Sequence, residues 1–363
     1  MIQKMDLSRR QFTATSVLGL FGLAAQGIQP GVIFPIGREN LLQGKRESSI
    51  HRGWEYNHSG VFTKDFKGTI QYYKDLGIAA DFPPTQPTWN PKDKAETIEF
   101  DVVPVFNIPE GEPFLQLLYV GDFEMEVLHA ETTIPQGEML AYREGCNHVC
   151  ISVPDIDAET EKRVKKGMRI IQDFHLNGKR LEDYLDTREP GHILLSFRSP
   201  MTEEMKKRKA TAGIVPWKFI GHTAIVKDLD KTVRFYEYLE IADCLPEKPF
   251  DTRKMSNVQI YGKPPKAAVQ ARTRKCRIGD RLILELVEPG KADFIYRETL
   301  YRRGEGIMDV MFSVKDLKQE TARLTQKGVP VIFRGQPQDS GAFAVFDTRA
   351  RGGDILIKLI EES

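Results

Sequence analysis

The strongest constraint on this 363-residue chain is that two of its segments repeat each other. The segment HSGVFTKDFKGTIQYYKDLGIA begins at His58, and the matching segment HTAIVKDLDKTVRFYEYLEIA begins at His222. They align with one residue inserted. Each is typical of an alternating strand, a turn that contains an aspartate, and a helix whose apolar residues recur at i, i+3, i+4 and i+7. Such a repeat fixes the architecture before any single residue is interpreted.

A second pair of repeats follows the first. GCNHVCISVPDIDAETEKRVKKGMRII starts at Gly145 and GIMDVMFSVKDLKQETARLTQKGVPVI starts at Gly306. Gly167 and Gly328 end the two helices as C-caps. All four segments begin with a strand that runs into an aspartate turn and an amphipathic helix, and hairpin-like strands follow each of them. The sequence therefore predicts an α+β chain of four β-α-β-β-β modules.

The modules pair along the chain, which sets the predicted domain boundaries. The first pair covers residues 51–198 and the second pair covers residues 215–363. A polar linker, residues 199–214, joins them. A further linker is predicted at residues 28–50, after a leader at residues 1–27.

The N-terminal leader indicates export. SRRQF, Ser8 to Phe12, precedes an uncharged stretch from Thr13 to Ala25, which is shorter than the roughly 20 residues that span a bilayer. Paired arginines before a modest apolar segment resemble a twin-arginine (Tat) signal peptide, with a small-x-small cleavage site that ends at Gly27. We therefore expect the Tat export machinery as a partner, no stable membrane insertion, and a periplasmic or extracellular location.

The composition favours a small-molecule partner. With 52 basic and 51 acidic residues, the chain has too little net positive charge to be attracted to nucleic acid. The four cysteines of an exported protein can be interpreted as two disulfides, but a chain of this length has an adequate core and does not need them.

The repeats resemble the vicinal oxygen chelate (VOC) superfamily, and the glyoxalase and methylmalonyl-CoA epimerase-like branch in particular. The resemblance is carried by NHSGVFTKDFKGTIQYYKDLGI, MEVLHAE and CNHVCISVPDID in the first pair, and by GHTAIVKDLDKTVRFYEYLEI, LELVEP and GGDILIKL in the second. It implies two paired VOC-type domains, each with a curved, eight-stranded mixed sheet around a divalent metal. Ligands come from the first, fourth, fifth and eighth strands. Because four modules already lie in one chain, a monomer is as compatible with this pattern as a homodimer.

Carried over by position, the resemblance implies a metal site in the first pair at His58, Glu126 and His148. Two imidazoles and a carboxylate suit a divalent first-row ion (Zn, Mn, Co, Ni or Fe) and leave coordination positions open for substrate oxygens. The fourth position is Ser196, where the family usually has glutamate. Glu126 is therefore the only carboxylate assigned to the site, both as ligand and as catalytic base.

The same positions in the second pair give a possible second site at His222, Glu285, Asp309 and Lys358. One imidazole and two carboxylates are suited to a hard cation. A lysine in the same pocket favours an ion pair with Asp309 or Glu285, so that an internal cation replaces the metal.

The stretch Cys146-Asn-His-Val-Cys150 raises the question of a cysteine ligand. Strand alternation places Cys146, His148 and Cys150 on one face. The two cysteines are about 13 Å apart on an extended strand, too far to share one ion. We therefore predict that Cys146 and Cys150 line the pocket together with Ser196.

A metal that chelates two neighbouring substrate oxygens stabilises the enolate formed when a proton leaves the carbon next to a carbonyl. The leading functional prediction is thus an exported, metal-dependent isomerase, epimerase or lyase that acts on a small oxygenated substrate. One alternative is an extradiol-type Fe(II) dioxygenase. The other is a periplasmic VOC protein that binds a ligand without catalysis, because the fold alone does not distinguish these functions.

Overall fold

The computed structural model describes residues 53–81, 98–100, 115–129, 144–176, 179–292 and 294–362. These residues belong to one compact unit that spans residues 48–363. The predicted Tat signal peptide and the linker at residues 28–50 lie outside the described residues. Within the described residues, no helix is long and apolar enough to cross a membrane.

The first half of the chain forms one mixed sheet in the strand order β2-β4-β5-β1-β6-β9-β8-β7-β3. Its elements in chain order are β1 (Glu55–Thr63), α1 (Phe66–Asp75), β2 (Ala79–Asp81), β3 (Ile98–Phe100), β4 (Leu115–Val120), β5 (Phe123–His129), β6 (Gly145–Ser152), α2 (Ile156–Val164), β7 (Ile170–Leu176), β8 (Lys179–Leu185), the single turn α3 (Arg188–Gly191) and β9 (Leu194–Arg198).

The second half forms a second mixed sheet in the order β11-β14-β15-β10-β16-β19-β18-β17-β13, with β12 paired to β14. Its elements are α4 (Glu203–Ala212), β10 (Lys218–Ile225), α5 (Leu229–Leu239), β11 (Asp243–Cys244), β12 (Phe250–Asp251), a 3-10 turn (Thr252–Lys254), β13 (Met255–Ile260), β14 (Gln270–Ile278), β15 (Leu282–Pro289), α6 (Ile295–Arg303), β16 (Gly306–Val314), α7 (Leu317–Gln326), β17 (Val331–Pro337), β18 (Phe343–Phe346) and β19 (Leu356–Glu361).

The two strand orders are the same when equivalent strands are matched, and this confirms the paired VOC-type α+β fold predicted from the repeats. The sheets have nine and ten strands where eight were predicted. Both sheets have one additional edge strand, β3 in the first sheet and β13 in the second. Each belongs by sequence to the first module of its pair but is hydrogen-bonded to a strand of the second module, β7 or β17.

The four repeated helices begin in the same way. Each follows an aspartate whose side chain accepts a hydrogen bond from the backbone N–H three residues later, and these N-caps are Asp65, Asp155, Asp228 and Asp316. An N-cap of this kind contributes about 1 kcal/mol by satisfying a backbone donor at the helix start. The aspartate turns recognised in the sequence are thus the start signals of the helices.

Symmetric contacts join the two sheets. The Asp280 side chain accepts a hydrogen bond from the Tyr56 backbone N–H, and the Asp122 side chain accepts one from the Phe219 N–H. Tyr56 and Phe219 are equivalent residues near the starts of β1 and β10, and their rings stack with centroids 4.6 Å apart. One buried apolar cluster includes residues of both sheets.

Two features were not expected from the sequence. The predicted linker at residues 199–214 contains α4, whose buried Lys209 donates hydrogen bonds to Asn57 in β1. A disulfide joins Cys244 and Cys276, which lie opposite each other on β11 and β14. Cys146 and Cys150 are buried and take no part in this disulfide.

Candidate metal centre

The register of three neighbouring strands brings the predicted ligands of the first pair together. Gly60 of β1 lies opposite Glu126 of the parallel strand β5 and opposite His148 of the antiparallel strand β6. His58 is two residues before Gly60 on β1. Three side chains that are far apart in sequence therefore meet in the middle of the sheet.

The distances are those of a cluster of potential ligands. The Oε2 atom of Glu126 lies 3.5 Å from Nε2 of His58 and 3.4 Å from Nε2 of His148. The two imidazole rings are 5.4 Å apart between centroids and nearly perpendicular. All three residues are buried, and their ligand atoms lie within 4.8 Å of one another.

Gly60 makes room for the His148 ring. A Cβ atom at residue 60 would lie only 1.7 Å from Cε1 of His148, so any larger residue would displace the imidazole. The absence of a side chain on the central strand is therefore part of the site.

Two β-bulges hold the histidines. Asn57 is the extra residue where β1 passes β6, and Asn147 is the extra residue where β6 passes β1. The Oδ1 atom of each asparagine lies 3.0 Å from Nδ1 of the following histidine, His58 or His148. Because an amide oxygen only accepts, both Nδ1 atoms must carry the proton. This arrangement leaves both Nε2 atoms unprotonated within about 3.5 Å of Oε2 of Glu126, as in histidines that bind a metal.

Two polar atoms at the centre have no hydrogen-bond partner. Nε2 of His58 and Oε2 of Glu126 are both buried and unpaired. Buried polar groups are normally satisfied, so atoms like these suggest an ion that is not part of the protein. Burial, followed by the nearby His148, lowers the pKa of His58 well below its usual range and keeps this ring neutral, as a ligand must be. The donor set therefore fits a divalent cation.

A second carboxylate, which the sequence analysis did not assign to the site, lies beside this cluster. Oε1 of Glu182 in β8 is buried, has no hydrogen-bond partner and lies 3.9 Å from Nε2 of His58. Its other oxygen, Oε2, accepts a hydrogen bond from Arg198 at 2.7 Å. Tyr184, two residues along β8, has its hydroxyl 3.4 Å from Nε2 of His148. The sequence KRLEDYL could have indicated this, because Glu182 and Tyr184 are two residues apart and so lie on the same face of a strand.

The predicted pocket-lining residues fall in different places. Ser196 is buried and lies opposite Cys150 on β6. Cys150 forms a second group of potential ligands with His58 and Glu182. Cys146 instead packs in the apolar core with Val149 and similar residues, because the bulge at Asn147 interrupts the strand alternation.

The second sheet has a different set of residues at the equivalent positions. Thr223 lies opposite Glu285 and Asp309, as Gly60 lies opposite Glu126 and His148. This register places Gly221, not His222, at the position equivalent to His58. His222 is equivalent to Ser59, and its Nε2 lies 2.8 Å from the Ser59 hydroxyl. The sequence alignment that matched His58 with His222 is thus one residue out of register.

The remaining residues of the possible second site form a network of internal charges. Lys358 makes an ion pair of 2.8 Å with Glu285, while Oδ1 of Asp309 accepts the Thr223 backbone N–H. Burial raises the pKa of Asp309 to about 6, against the opposing effect of Lys358. His222 is held by Ser59 and by the backbone oxygen of Asp309. In the described part of the chain, both groups with metal-binding geometry contain His58, and so both belong to the first sheet.

The paired β-α-β-β-β modules, with a site at the centre of a mixed sheet, define the VOC-type fold. A mutant of 4-hydroxymandelate synthase from Streptomyces coelicolor superposes with a TM-score of 0.56 over 85% of this chain and 92% of its own, at 12% identity. A xylose isomerase-like TIM barrel/4-hydroxyphenylpyruvate dioxygenase fusion protein gives 0.51 over 86% of this chain and 48% of its own, at 13% identity.

Methylmalonyl-CoA epimerase from Mycobacterium tuberculosis matches 40% of this chain and 88% of its own, with 18% identity and a TM-score of 0.32. No protein-family model and no curated protein matches the sequence. The structural neighbours are members of the VOC superfamily. At these identities the likeness establishes the fold, and the chemistry has to be argued from the site itself.

Proposed function

We propose that the protein is a metal-dependent enzyme, and that His58, His148 and Glu126 hold one divalent ion in the first sheet. The observation that carries this proposal is the convergence of buried ligand atoms, of which Nε2 of His58 and Oε2 of Glu126 have no partner. A cation at this point would satisfy both atoms and compensate the burial of the carboxylate.

The donor chemistry narrows the choice of metal. Two neutral imidazoles and a carboxylate suit first-row ions such as Zn, Mn, Co, Ni and Fe, whereas Ca and Mg prefer oxygen ligands only. The paired Asn57–His58 and Asn147–His148 hydrogen bonds support this assignment, because they fix the tautomer in which Nε2 is free to bind.

The reaction best supported by such a site is proton transfer next to a carbonyl group, in an isomerase, epimerase or lyase acting on a small oxygenated substrate. When bound, the metal would supply a Lewis acid that stabilises an enolate. The burial of Glu126, at 8% exposure, keeps bulk water from the carboxylate that we propose as ligand and base. Tyr184, beside His148, has a hydroxyl group suited to orienting a substrate oxygen.

A second candidate is an extradiol-type Fe(II) dioxygenase. Two histidines and one carboxylate form the set of ligands used by non-haem iron oxygenases. Two structural neighbours that share the fold over most of this chain are named a 4-hydroxymandelate synthase and a fusion that contains a 4-hydroxyphenylpyruvate dioxygenase. A non-catalytic ligand-binding protein is the remaining alternative.

We further propose that the protein is exported by the Tat route to the periplasm or beyond. The SRRQF motif supports this location, and so does the Cys244–Cys276 disulfide, since disulfides persist mainly in oxidising compartments. Replacing both Arg9 and Arg10 with lysine should retain the protein in the cytoplasm, as measured by cell fractionation. Unchanged export of this double variant would contradict the proposal.

Metal content tests the enzyme proposal directly. The full chain, folded before export, should contain about one divalent ion per molecule by elemental analysis. His148→Ala should lose the ion, while the control His175→Ala should keep it, because His175 lies on β7 and pairs with Asp173. If the wild type contains no stoichiometric metal and His148→Ala behaves identically, the non-catalytic alternative is favoured.

The reaction class is tested with the metal-loaded protein. Under anaerobic conditions, proton transfer should exchange solvent deuterium into α-hydroxy-carbonyl compounds, and His148→Ala should abolish this exchange. Turnover that requires O₂ would exclude the isomerase assignment and support the dioxygenase.

A further inference from the structure

The first sheet lacks the usual carboxylate on its last ligand-bearing strand but has one on the neighbouring strand. Ser196 of β9 pairs with Tyr184 of β8, and Glu182 pairs with Arg198 two residues further along the same ladder. Glu182 and Tyr184 therefore lie on the same face of β8. Since the Tyr184 hydroxyl reaches His148, Glu182 also faces the cluster.

The carboxylate of Glu182 is fixed in a way typical of a ligand. Arg198 holds Oε2 at 2.7 Å, while Oε1 points toward His58, is buried and has no hydrogen-bond partner. Carboxylates that bind metals are commonly anchored through a second oxygen in this way. The group is ordered by one partner and left with a free lone pair on the side of the histidines.

The charges at the site point in the same direction. Glu126 and Glu182 are 8% and 6% exposed, and each has an unpartnered oxygen near Nε2 of His58. Two buried carboxylates beside neutral imidazoles are costly unless a cation lies between them. Arg198 forms a direct ion pair only with Glu182.

The second sheet provides an internal comparison. The residue equivalent to Glu182 there is Phe343, and the residue equivalent to Ser196 is Lys358. The carboxylate of Glu182 therefore occurs in the sheet that has the two histidines, and the equivalent position of the other sheet has no carboxylate.

We infer that Glu182 is the fourth protein ligand of the metal, in place of the residue at position 196. This inference rests on the proposed metal site. It assigns the ion two imidazoles and two carboxylates, one of which, Glu182, also pairs with Arg198. Ser196 then has no direct bond to the metal.

The test uses the full-length protein, stripped of metal and titrated with Co²⁺ or Zn²⁺ against a competing chelator. Glu182→Gln keeps the shape of the side chain and its acceptor for Arg198. We expect it to weaken binding at least about tenfold and to change the visible spectrum of bound Co²⁺. Ser196→Ala should bind as the wild type does.

Two controls isolate the role of Glu182. Asp183→Asn removes a buried carboxylate from the opposite face of β8, where it accepts a hydrogen bond from Thr160, and it should leave the affinity unchanged. Cys150→Ser tests the thiol whose sulfur lies within 4.8 Å of the ligand atoms of His58 and Glu182, and it should also bind normally. In Glu182→Ala, the added substitution Ser196→Glu should restore part of the lost affinity where that double variant folds.

The outcomes separate this inference from the proposed function. If the wild type binds metal and His148→Ala abolishes binding, but Glu182→Gln keeps the wild-type affinity and Co²⁺ spectrum, Glu182 is not a ligand and only the inference fails. If Cys150→Ser weakens binding in place of Glu182→Gln, the thiol is the fourth ligand. If the wild type binds neither ion, the proposed metal site itself is wrong.

Discussion

The substitution Gly60→Ala is the sharpest test of how the sheet forms the site, because it adds one methyl group and removes no ligand. The new Cβ would lie 1.7 Å from Cε1, 2.2 Å from Nδ1 and 2.6 Å from Nε2 of His148. An ordinary carbon–carbon contact is about 3.5 Å, so the ring must withdraw by about 1.8 Å. That shift would also break the bond between Nδ1 and Asn147.

The effect on metal binding follows from this displacement. Ligand distances to a transition metal are maintained within about 0.2 Å, so a shift of about 1.8 Å removes His148 from the coordination sphere. We expect metal affinity to fall at least about 100-fold, or about 2.7 kcal/mol. The free energy of unfolding should fall by only about 1–3 kcal/mol from overpacking, partly offset because alanine is less flexible than glycine.

The assay is competition for Co²⁺ with a chelator, combined with denaturant unfolding of the metal-free protein. Gly335→Ala is the matched control, since Gly335 lies in β17 and a Cβ there would meet Phe343 at an ordinary 3.5 Å. This control should keep full affinity. If Gly60→Ala is folded and binds Co²⁺ as tightly as the wild type, His148 is not a ligand and the reasoning from this register is refuted.

Three further predictions concern the residue that orients His148 and the stability of the second sheet. Asn147→Ala should lower metal affinity about tenfold without unfolding the protein, since it frees the His148 tautomer, and normal Co²⁺ binding would contradict this. The pKa of Asp309 is raised from 3.8 to about 6, so the folded state loses stability as the pH rises between these values. Asp309→Asn should therefore be more stable than the wild type by up to about 3 kcal/mol above pH 6 and equally stable below about pH 4. Denaturant unfolding curves of the two proteins that differ equally at both pH values would refute this. Cys244→Ser removes the bond to Cys276 across 32 residues and should cost about 3–4 kcal/mol under oxidising conditions, a difference that should vanish when the wild type is reduced.

The fold was predictable because the repeats encode it locally. Each module carries its own start signal, an N-cap aspartate such as Asp65 or Asp228, and its own amphipathic helix. Four similar modules in sequence leave few ways to pair the strands. The edge strands β3 and β13 were not predicted, since they depend on contacts across the whole sheet and not on local periodicity.

The site was only partly predictable because residue positions in a sheet depend on bulges. The bulges at Asn57 and Asn147 shift the register by one residue, and sequence alternation gives no sign of them. They account for the placement of Cys146 in the core. Bulges at the equivalent points of β10 and β16 likewise set the register in which His222 matches Ser59. The Asn-His pairs, present twice in the first half and absent from the second, were the available clue.

The second sheet differs from the first in its backbone environment as well as in its ligands. A Cβ at Gly221, the position equivalent to His58, would lie 1.8 Å from the backbone oxygen of Ile283. Thr223 occupies the place of Gly60, where a full-sized imidazole on β16 would need space. Restoring two histidines there would therefore not recreate the site, because the strands leave no room for the side chains. Within the described residues, only the first sheet has the clustered ligand atoms, the bulge asparagines beside the histidines and a glycine on the central strand together.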